Sequence, residues 1–334
     1  MLERVVSGGK LERSQARELI AAVMSGEGSE LQTAGLLAAL RTRGETLDEV
    51  VGAAEAMREL AVALPEAPAG AIDTCGTGGD GSNSLNISTL SALVAAGAGV
   101  PVAKHGNRAA SSRCGSAEVL EALGVRIEAP PERMAESVSR VGIGFLFARA
   151  CHPAMAAVAP VRSALGIRTL FNRLGPLTNP MRVRRQLVGV ADAGLLESTR
   201  SALAELGAER VWVVHGGDGL DEISTGATTR VLAWEEGAAR EFEIEPGQLV
   251  PAAPAEKLEG GDPARNAEMA REVLAGEAGA PRDAVLLNAA ACLCVAGRAG
   301  DLSEGLSQAS ESIDSGSAAR VLEAFAAFSR GESS

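Results

Sequence analysis

Residues 71–81 read Ala71-Ile72-Asp73-Thr74-Cys75-Gly76-Thr77-Gly78-Gly79-Asp80-Gly81, a short apolar run that opens into a glycine-rich loop. Thr89 to Ala98 follows with helical character, and Val100-Pro101-Val102-Ala103 is a second apolar run. Strand, loop, helix and strand in that order are the unit of a parallel α/β sheet. Both kinds of segment keep alternating downstream. Val119–Leu123 and Glu132–Val141 read as helix, Ile143–Phe147 as strand, and Arg210-Val211-Trp212-Val213-Val214 as a buried strand. Ala284–Ala296 and Ala318–Phe328 read as helices.

Upstream, Pro65-Glu66-Ala67-Pro68-Ala69-Gly70 breaks the periodicity and reads as a linker. Residues 1–64 before it read as helices. Ser29-Glu30-Leu31-Gln32 and Thr46-Leu47-Asp48-Glu49 both fit the capping box, a hydroxyl followed three residues on by Gln or Glu. The expected fold is α/β. A small all-helical domain spans 1–64, joined by helices within 155–180, and a larger α/β domain with a central, mostly parallel sheet spans 70–334.

Composition narrows the function. The chain has 334 residues and a net charge of −12, which argues against binding to nucleic acid or to an anionic membrane. Aromatics make up 2% with no Tyr, too few for base stacking. Five Cys with no CxxC are no disulfide framework, and three His make a His/Cys zinc site improbable. No apolar stretch behind Met1 reads as a signal peptide, and Leu90 to Ala103 is too short to span a bilayer. A reduced, cytoplasmic protein is expected.

Glycines between a strand and a helix let backbone N–H groups approach an anion. Gly76-Thr77-Gly78-Gly79-Asp80-Gly81 satisfies G-x-G-x-x-G, yet the next strand ends in Lys104-His105 rather than in the acid that a dinucleotide ribose requires. No GK[ST] follows, so a Walker loop is absent as well. Lys104-His105-Gly106-Asn107-Arg108-Ala109-Ala110-Ser111-Ser112-Arg113 carries three fixed positive charges and no acid, a local inversion in an acidic chain. A solvated basic face is the plain account of such a run. The interleaved Gly, Asn and Ser suit a phosphorylated sugar better. The topology sets this segment beside the glycine loop, at the carboxyl ends of adjacent strands.

The strand at 210–214 runs into His215-Gly216-Gly217-Asp218-Gly219-Leu220-Asp221-Glu222-Ile223-Ser224. Acids on a loop at a strand's end suit magnesium, which takes one or two carboxylates plus phosphate oxygens and water. Capping of a following helix by Asp221 and Glu222 is the competing account.

With these residues in view, the chain resembles the anthranilate phosphoribosyltransferases of tryptophan biosynthesis. The resemblance rests on Gly76 to Asp80, Asn86-Ile87-Ser88-Thr89, Lys104 to Arg108 with Ser111-Ser112, His152-Pro153-Ala154-Met155, Val161-Arg162, Gly166-Ile167-Arg168-Thr169, Asn172 to Pro180 and Asp221 to Ser224. It covers nearly the whole chain, including the Leu286–Ala291 segment. It implies the fold shared with pyrimidine nucleoside phosphorylases, a homodimer, and transfer of phosphoribose from phosphoribosyl pyrophosphate (PRPP) to the amine of anthranilate with Mg2+. In that light 70–334 is the donor-binding domain. Gly76, Gly79, Asp80, Ser84, Asn86, Ile87, Ser88 and Thr89 would bind the donor, with Lys104, His105, Gly106, Asn107, Arg108, Ala109, Ala110, Ser111, Ser112 and Ser116. Ser88, Asp221 and Glu222 would hold the metal, and Gly76, Asn107 and Arg162 would contact anthranilate.

The pattern is departed from at Asn83 (usually Gly), Leu85 (often Phe), Cys114 (commonly Ser), and at Arg149 and Cys151 just before His152. The negative charge that builds on the leaving group is expected to be met by magnesium, the backbone N–H groups of Gly76–Gly79 and Lys104. No covalent nucleophile is expected, and His105 and His152 read as hydrogen-bonded pocket residues as readily as bases. Three other readings are a nucleoside phosphorylase of the same fold, a paralogue with another aromatic acceptor, and an idle binding protein. The Asp221-Glu222 pair argues against the first and the last, and Arg162, a fork for a carboxylate, favours an acid-bearing acceptor.

Overall fold

The structure is a computed structural model and describes residues 1–109 and 112–332. Four helices open the chain: α1 (Leu2–Val6), α2 (Arg13–Met24), α3 (Glu30–Arg43) and α4 (Leu47–Glu59). Both capping boxes form. Ser29 Oγ accepts from Gln32 N at 3.3 Å while Gln32 Oε1 accepts from Ser29 N at 2.9 Å, and Thr46 and Glu49 repeat the exchange at 3.3 and 2.8 Å.

The remaining chain lays down β1 (Ile72–Asp73), α5 (Ile87–Gly97), β2 (Val102–Gly106), α6 (Ser116–Ala122), α7 (Pro131–Arg140), β3 (Ile143–Phe147), α8 (Ala148–Cys151), α9 (Ala159–Leu165) and α10 (Phe171–Leu174). Then come β4 (Arg185–Gly189), α11 (Leu196–Glu205), β5 (Arg210–Gly216), β6 (Thr229–Glu235), β7 (Ala238–Ile244), α12 (Pro263–Leu274), α13 (Ala280–Ala296), α14 (Leu302–Asp314) and α15 (Ser317–Arg330). The strands make one seven-stranded sheet in the order β3-β2-β1-β4-β5-β6-β7. The first five pair in parallel, and β6 and β7 extend the edge antiparallel.

Side chains on successive strand residues point to opposite faces, and the core divides accordingly. Trp212 and Val214 of β5 join a cluster with α5, α12, α13 and α15. Val211 and Val213 join the other cluster, which also contains α1 to α4, α9, α10 and α11. Val158, Val161, Leu170, Phe171, Leu174 and Leu177 lie in that second cluster. The opening helices therefore share their hydrophobic core with one face of the sheet.

Three strands, β4, β6 and β7, go beyond the sequence reading. β4 is brief and opens on Arg185-Gln186, and β7, Ala238-Ala239-Arg240-Glu241-Phe242-Glu243-Ile244, exposes its first four residues. Neither shows the unbroken apolar run of a central strand; β7 is an edge, where one side needs no partner. β1 keeps only Ile72 and Asp73 of the expected five-residue run, because Thr74 and Cys75 turn away into the site.

Candidate active site

Parallel pairing brings the loops after β1, β2, β4 and β5 to one end of the sheet. Lys104 and His105 enter this end on β2, both buried. The Lys104 ammonium donates to Thr74 O and Thr74 Oγ1, each at 2.9 Å, and to Ser88 Oγ at 3.4 Å. An ammonium has three N–H donors. All three already meet protein acceptors, so Lys104 supplies a fixed charge rather than a free hydrogen bond to a leaving group. Beneath it, Asp73 accepts from His105 N at 3.0 Å and Asn179 Nδ2 at 2.9 Å. Burial pushes the Asp73 carboxyl up to about 6, against the pull of Asn179 and Lys104.

The glycine loop is partly committed. Thr77 N–H is given to Gly189 O at 2.9 Å. This removes Thr77 from the expected run of free donors at Gly76–Gly79. Gly76 packs where a side chain would stand 3.2 Å from Gly189 O and 3.3 Å from Asp221 Oδ2. Asp80 turns inward on its own loop, accepting from Ser82 N at 3.2 Å and Ser82 Oγ at 2.7 Å.

Asp221 and Glu222 meet this loop from the far side. No helix follows them; the chain runs on irregularly to β6, so capping has nothing to cap. Glu222 Oε1 accepts from Ser88 N at 3.1 Å, in the first turn of α5. Burial pushes both carboxyls well above the ordinary carboxylate range; the charge of Asp80 adds to this at Asp221, and that of Asp221 at Glu222. Among the described residues no three His, Cys, Asp or Glu form a closed metal cage. The corner is still one where crowded carboxylates and a hydroxyl lack a countercharge beyond Lys104. That donor chemistry fits a hard cation with substrate oxygens completing its shell.

The loop after β2 is held by side chains of its own. Arg108 forks onto Glu121 at 2.6 and 2.8 Å in a part-exposed pair, so a phosphate would have to exchange with Glu121 for its guanidinium. Glu118 accepts from Ala109 N at 3.1 Å and Gly115 N at 2.9 Å. Asn107 accepts from Arg108 N at 2.9 Å through its side-chain oxygen, and Ser116 Oγ donates to Asn107 O at 3.2 Å. Ser112 is exposed, and Ala110 and Ser111 lie outside the described residues. Of the donor-segment residues after Asp80, Ser84 pairs with Glu259 in an isolated bridge, while Ile87 and Thr89 are buried in α5 as packing residues. Asn86 Oδ1 accepts from Asn266 Nδ2 at 2.9 Å and its amide donates to Cys114 O at 3.2 Å. Gly106 lies at the end of β2, where a Cβ would strike Ser116 Oγ and the Phe145 ring.

Arg162 stands on α9, half-buried, its guanidinium 5.6 Å from the Phe171 ring centroid. Among the described residues no carboxylate pairs with it. Six residues on, Arg168 Nη2 donates to Gly78 O at 3.2 Å, so this segment lies along the glycine loop. His105 and His152 meet edge to face with ring centroids 5.2 Å apart. Burial drives His105 down to about 4 and His152 to about 3; the charge of Lys104 adds to the first and the neighbouring His105 ring to the second. His105 Nδ1 donates to Gly175 O at 3.0 Å. Both rings are neutral near pH 7 and too weakly basic to hold a proton there. Burial pushes the Cys151 thiol up to about 12 and the Cys75 thiol higher still, so neither is a nucleophile.

The helical bundle domain of a glycosyl transferase family matches residues 1–61, and its α/β domain matches residues 69–319. An anthranilate phosphoribosyltransferase of Methylobacterium nodulans is 51% identical over 98% of this chain and 97% of its own length. The chain belongs to the anthranilate phosphoribosyltransferase family. A crystal structure of the family from Thermus thermophilus superposes with a TM-score of 0.93 at 48% identity, over 98% of this chain and 99% of that one. A Saccharomyces cerevisiae member in complex with PRPP and Mg matches at 0.87 and 28% identity, over 99% and 97%. The same yeast protein with 4-fluoroanthranilate matches at 0.85 and 27%, again over 99% and 97%.

Asp73, Thr74, Glu118, Asn179 and Asn266 organise the site and were not among the expected site residues. Asp73 and Thr74 carried one readable signal, polar residues inside an apolar strand. Asn266 sits on a helix remote in sequence from Asn86, so only the folded chain reveals it, whereas Glu118 closes a local capping box on Gly115.

Proposed function

We propose that the chain transfers the phosphoribosyl group of PRPP to the amine of anthranilate, giving N-(5-phosphoribosyl)anthranilate and pyrophosphate in tryptophan biosynthesis. The observation that carries this is Arg162: a half-buried guanidinium with no carboxylate partner among the described residues, on a segment that touches the donor loop. A buried, unpaired cation is costly, and a substrate carboxylate is the natural complement.

The donor lies along Gly76, Gly79 and Asp80, with Ser84 and Asn86 to Thr89 on one side and Lys104 to Ala109, Ser112 and Ser116 on the other; Ala110 and Ser111, expected with them, lie outside the described residues. Arg108 in this arrangement contributes backbone and, on exchanging Glu121 for a phosphate, its guanidinium. Asp221 and Glu222 with Ser88 would hold magnesium, which supplies charge neutralisation for the departing pyrophosphate. Lys104 adds a fixed positive charge at the same corner. Arg162 grips the anthranilate carboxylate, with Gly76 and Asn107 beside the ring, and so aims the amine at C1 of the ribose. An aromatic amine needs orientation more than activation, and the two neutral histidines leave proton removal to later steps or solvent.

Residues 1–64 with the helices within 155–180 form the acceptor-side body and 70–334 the donor-side body. The dimer pairs through the outward face of α1 and α3. Leu31 there is 85% exposed, beside Gly35 and the half-exposed Ala34 and Ala38. Five unpaired cysteines suit the reducing cytoplasm, and no described helix is long and apolar enough to cross a membrane.

Loss of anthranilate fluorescence on adding PRPP and Mg2+ tests the activity. Steady fluorescence, with phosphorolysis of a pyrimidine nucleoside instead, would overturn it.

A further inference from the structure

Helix α13 runs Ala284-Val285-Leu286-Leu287-Asn288-Ala289-Ala290-Ala291-Cys292-Leu293 through the core, and Asn288 is its one amide. It is fully buried. A mid-helix Asn is intrinsically unfavourable, and a buried amide costs more unless its hydrogen bonds are met. Here they are. Asn288 Oδ1 accepts from Ile223 N at 2.9 Å, and Asn288 Nδ2 donates to Ile223 O and to Ala284 O, both at 2.9 Å. The amide reads both faces of one peptide residue. Flipping it would turn the NH2 on the Ile223 N–H and the oxygen on two carbonyls, so its orientation is unique.

Ile223 directly follows Asp221 and Glu222. The opposite side of this loop is fixed by Gly189 at the end of β4, where a Cβ would fall 1.6 Å from Asp221 O. Gly189 permits the backbone of Asp221 to close on the sheet, and Asn288 locks the residue after the pair from the helix behind. Downstream, Ser224 Oγ donates to Asp218 Oδ2 at 2.6 Å and accepts from Gly226 N at 2.9 Å. The segment has no secondary structure of its own, so side chains supply what a ladder would.

We infer that Asn288 is a positioning residue for the metal corner: it touches neither substrate nor cation and sets the aim of Asp221 and Glu222 through the Ile223 backbone. This rests on the reading of that pair as metal ligands. Partners that hold metal ligands in place commonly change affinity by about 10- to 100-fold when removed.

The test measures manganese(II) binding by electron paramagnetic resonance with PRPP present and anthranilate absent, for the parent, Asn288→Ala and Asn288→Ser. Asp221→Asn with Glu222→Gln and the remote Ser137→Ala serve as references. Ser137 is also buried and hydrogen-bonded, to Ile143 O at 2.7 Å. Asn288→Ala should weaken manganese by about ten-fold or more and raise the half-saturating Mg2+ in parallel, with the KM for anthranilate unchanged. Ser137→Ala should lower the melting temperature and leave both metal readings alone. If Asn288→Ala does not fold, Asn288→Ser, which keeps one hydroxyl for the Ile223 backbone, should show the same change at smaller amplitude. Parent-like manganese affinity in a folded, less stable Asn288 variant would reduce Asn288 to a structural anchor. Unchanged manganese binding in the Asp221/Glu222 double variant would instead remove the metal reading, and the role of Asn288 with it.

Discussion

Among the described residues no acid answers Arg162, and its proposed contact with the acceptor can be tested through affinity. A charge-assisted bond to the anthranilate carboxylate contributes about 1.5–3 kcal/mol, so Arg162→Ala should raise the KM for anthranilate about ten- to a hundred-fold. The KM for PRPP should barely move. Equal losses for both substrates in steady-state kinetics would make Arg162 structural. Asp221 and Glu222 show the opposite excess, crowded acids short of cations. Asp221→Asn and Glu222→Gln should each lower turnover and raise the Mg2+ needed for half-maximal rate, at close to the parent melting temperature. Burial, with the charge of Asp80 at Asp221 and of Asp221 at Glu222, holds these carboxyls above their ordinary range, so metal binding must displace protons. The half-saturating Mg2+ should therefore fall as pH rises from about 6 to about 9. A flat magnesium titration across that range would show that the pair is already ionised.

Glu49 ties local sequence to a whole element. It closes the capping box of α4, accepts from Leu11 N at 2.9 Å, and pairs with Arg43, so one carboxylate joins α2, α3 and α4. Burial raises its carboxyl, but Arg43 and the N–H groups of Thr46 and Leu11 outweigh burial and leave it below the ordinary 4.5. A carboxyl lowered in the fold stabilises fully above its unfolded value and loses that contribution as pH falls through its folded one. Glu49→Gln breaks a buried pair and should cost about 3 kcal/mol near neutral pH. The gap in melting temperature between parent and variant should hold from pH 8 to about 5 and narrow below about 4.5. A gap that persists to pH 3 would assign the effect to packing. The capping box was legible because all its parts lie within four residues. Arg43 and Leu11 were not, because their meeting with Glu49 depends on how three helices pack.

Across the molecule, the exposed apolar face of α1 and α3 is what a second copy would cover. Burying Leu31 contributes about 1.5–3 kcal/mol, and a two-fold interface counts it twice. Leu31→Asp should weaken the dimer at least about a hundred-fold, which sedimentation equilibrium would show as monomer at micromolar concentration. A parent that already sediments as a monomer there would remove the dimer. The thermal melt of Leu31→Asp should stay near the parent's, since a side chain 85% exposed has little packing to lose within the protomer.

The α/β class, the helical start, the parallel character of the sheet and the two capped helices could all be determined from the sequence, because periodicity and caps act over a few neighbouring residues. So could the glycine loop, the basic segment and the acidic pair, whose residue types state their chemistry. What only the tertiary structure decided is which of those groups remain free. Arg108 is shared with Glu121, the three donors of Lys104 already have acceptors, and Thr77 N–H belongs to Gly189. Asp221 and Glu222 cap nothing because the chain beyond them enters a strand. Asn288, sixty-five residues downstream, holds the residue beside them. Hydrogen-bond competition of this kind is settled by three-dimensional neighbours, and pairs so far apart leave no spacing for a sequence to display.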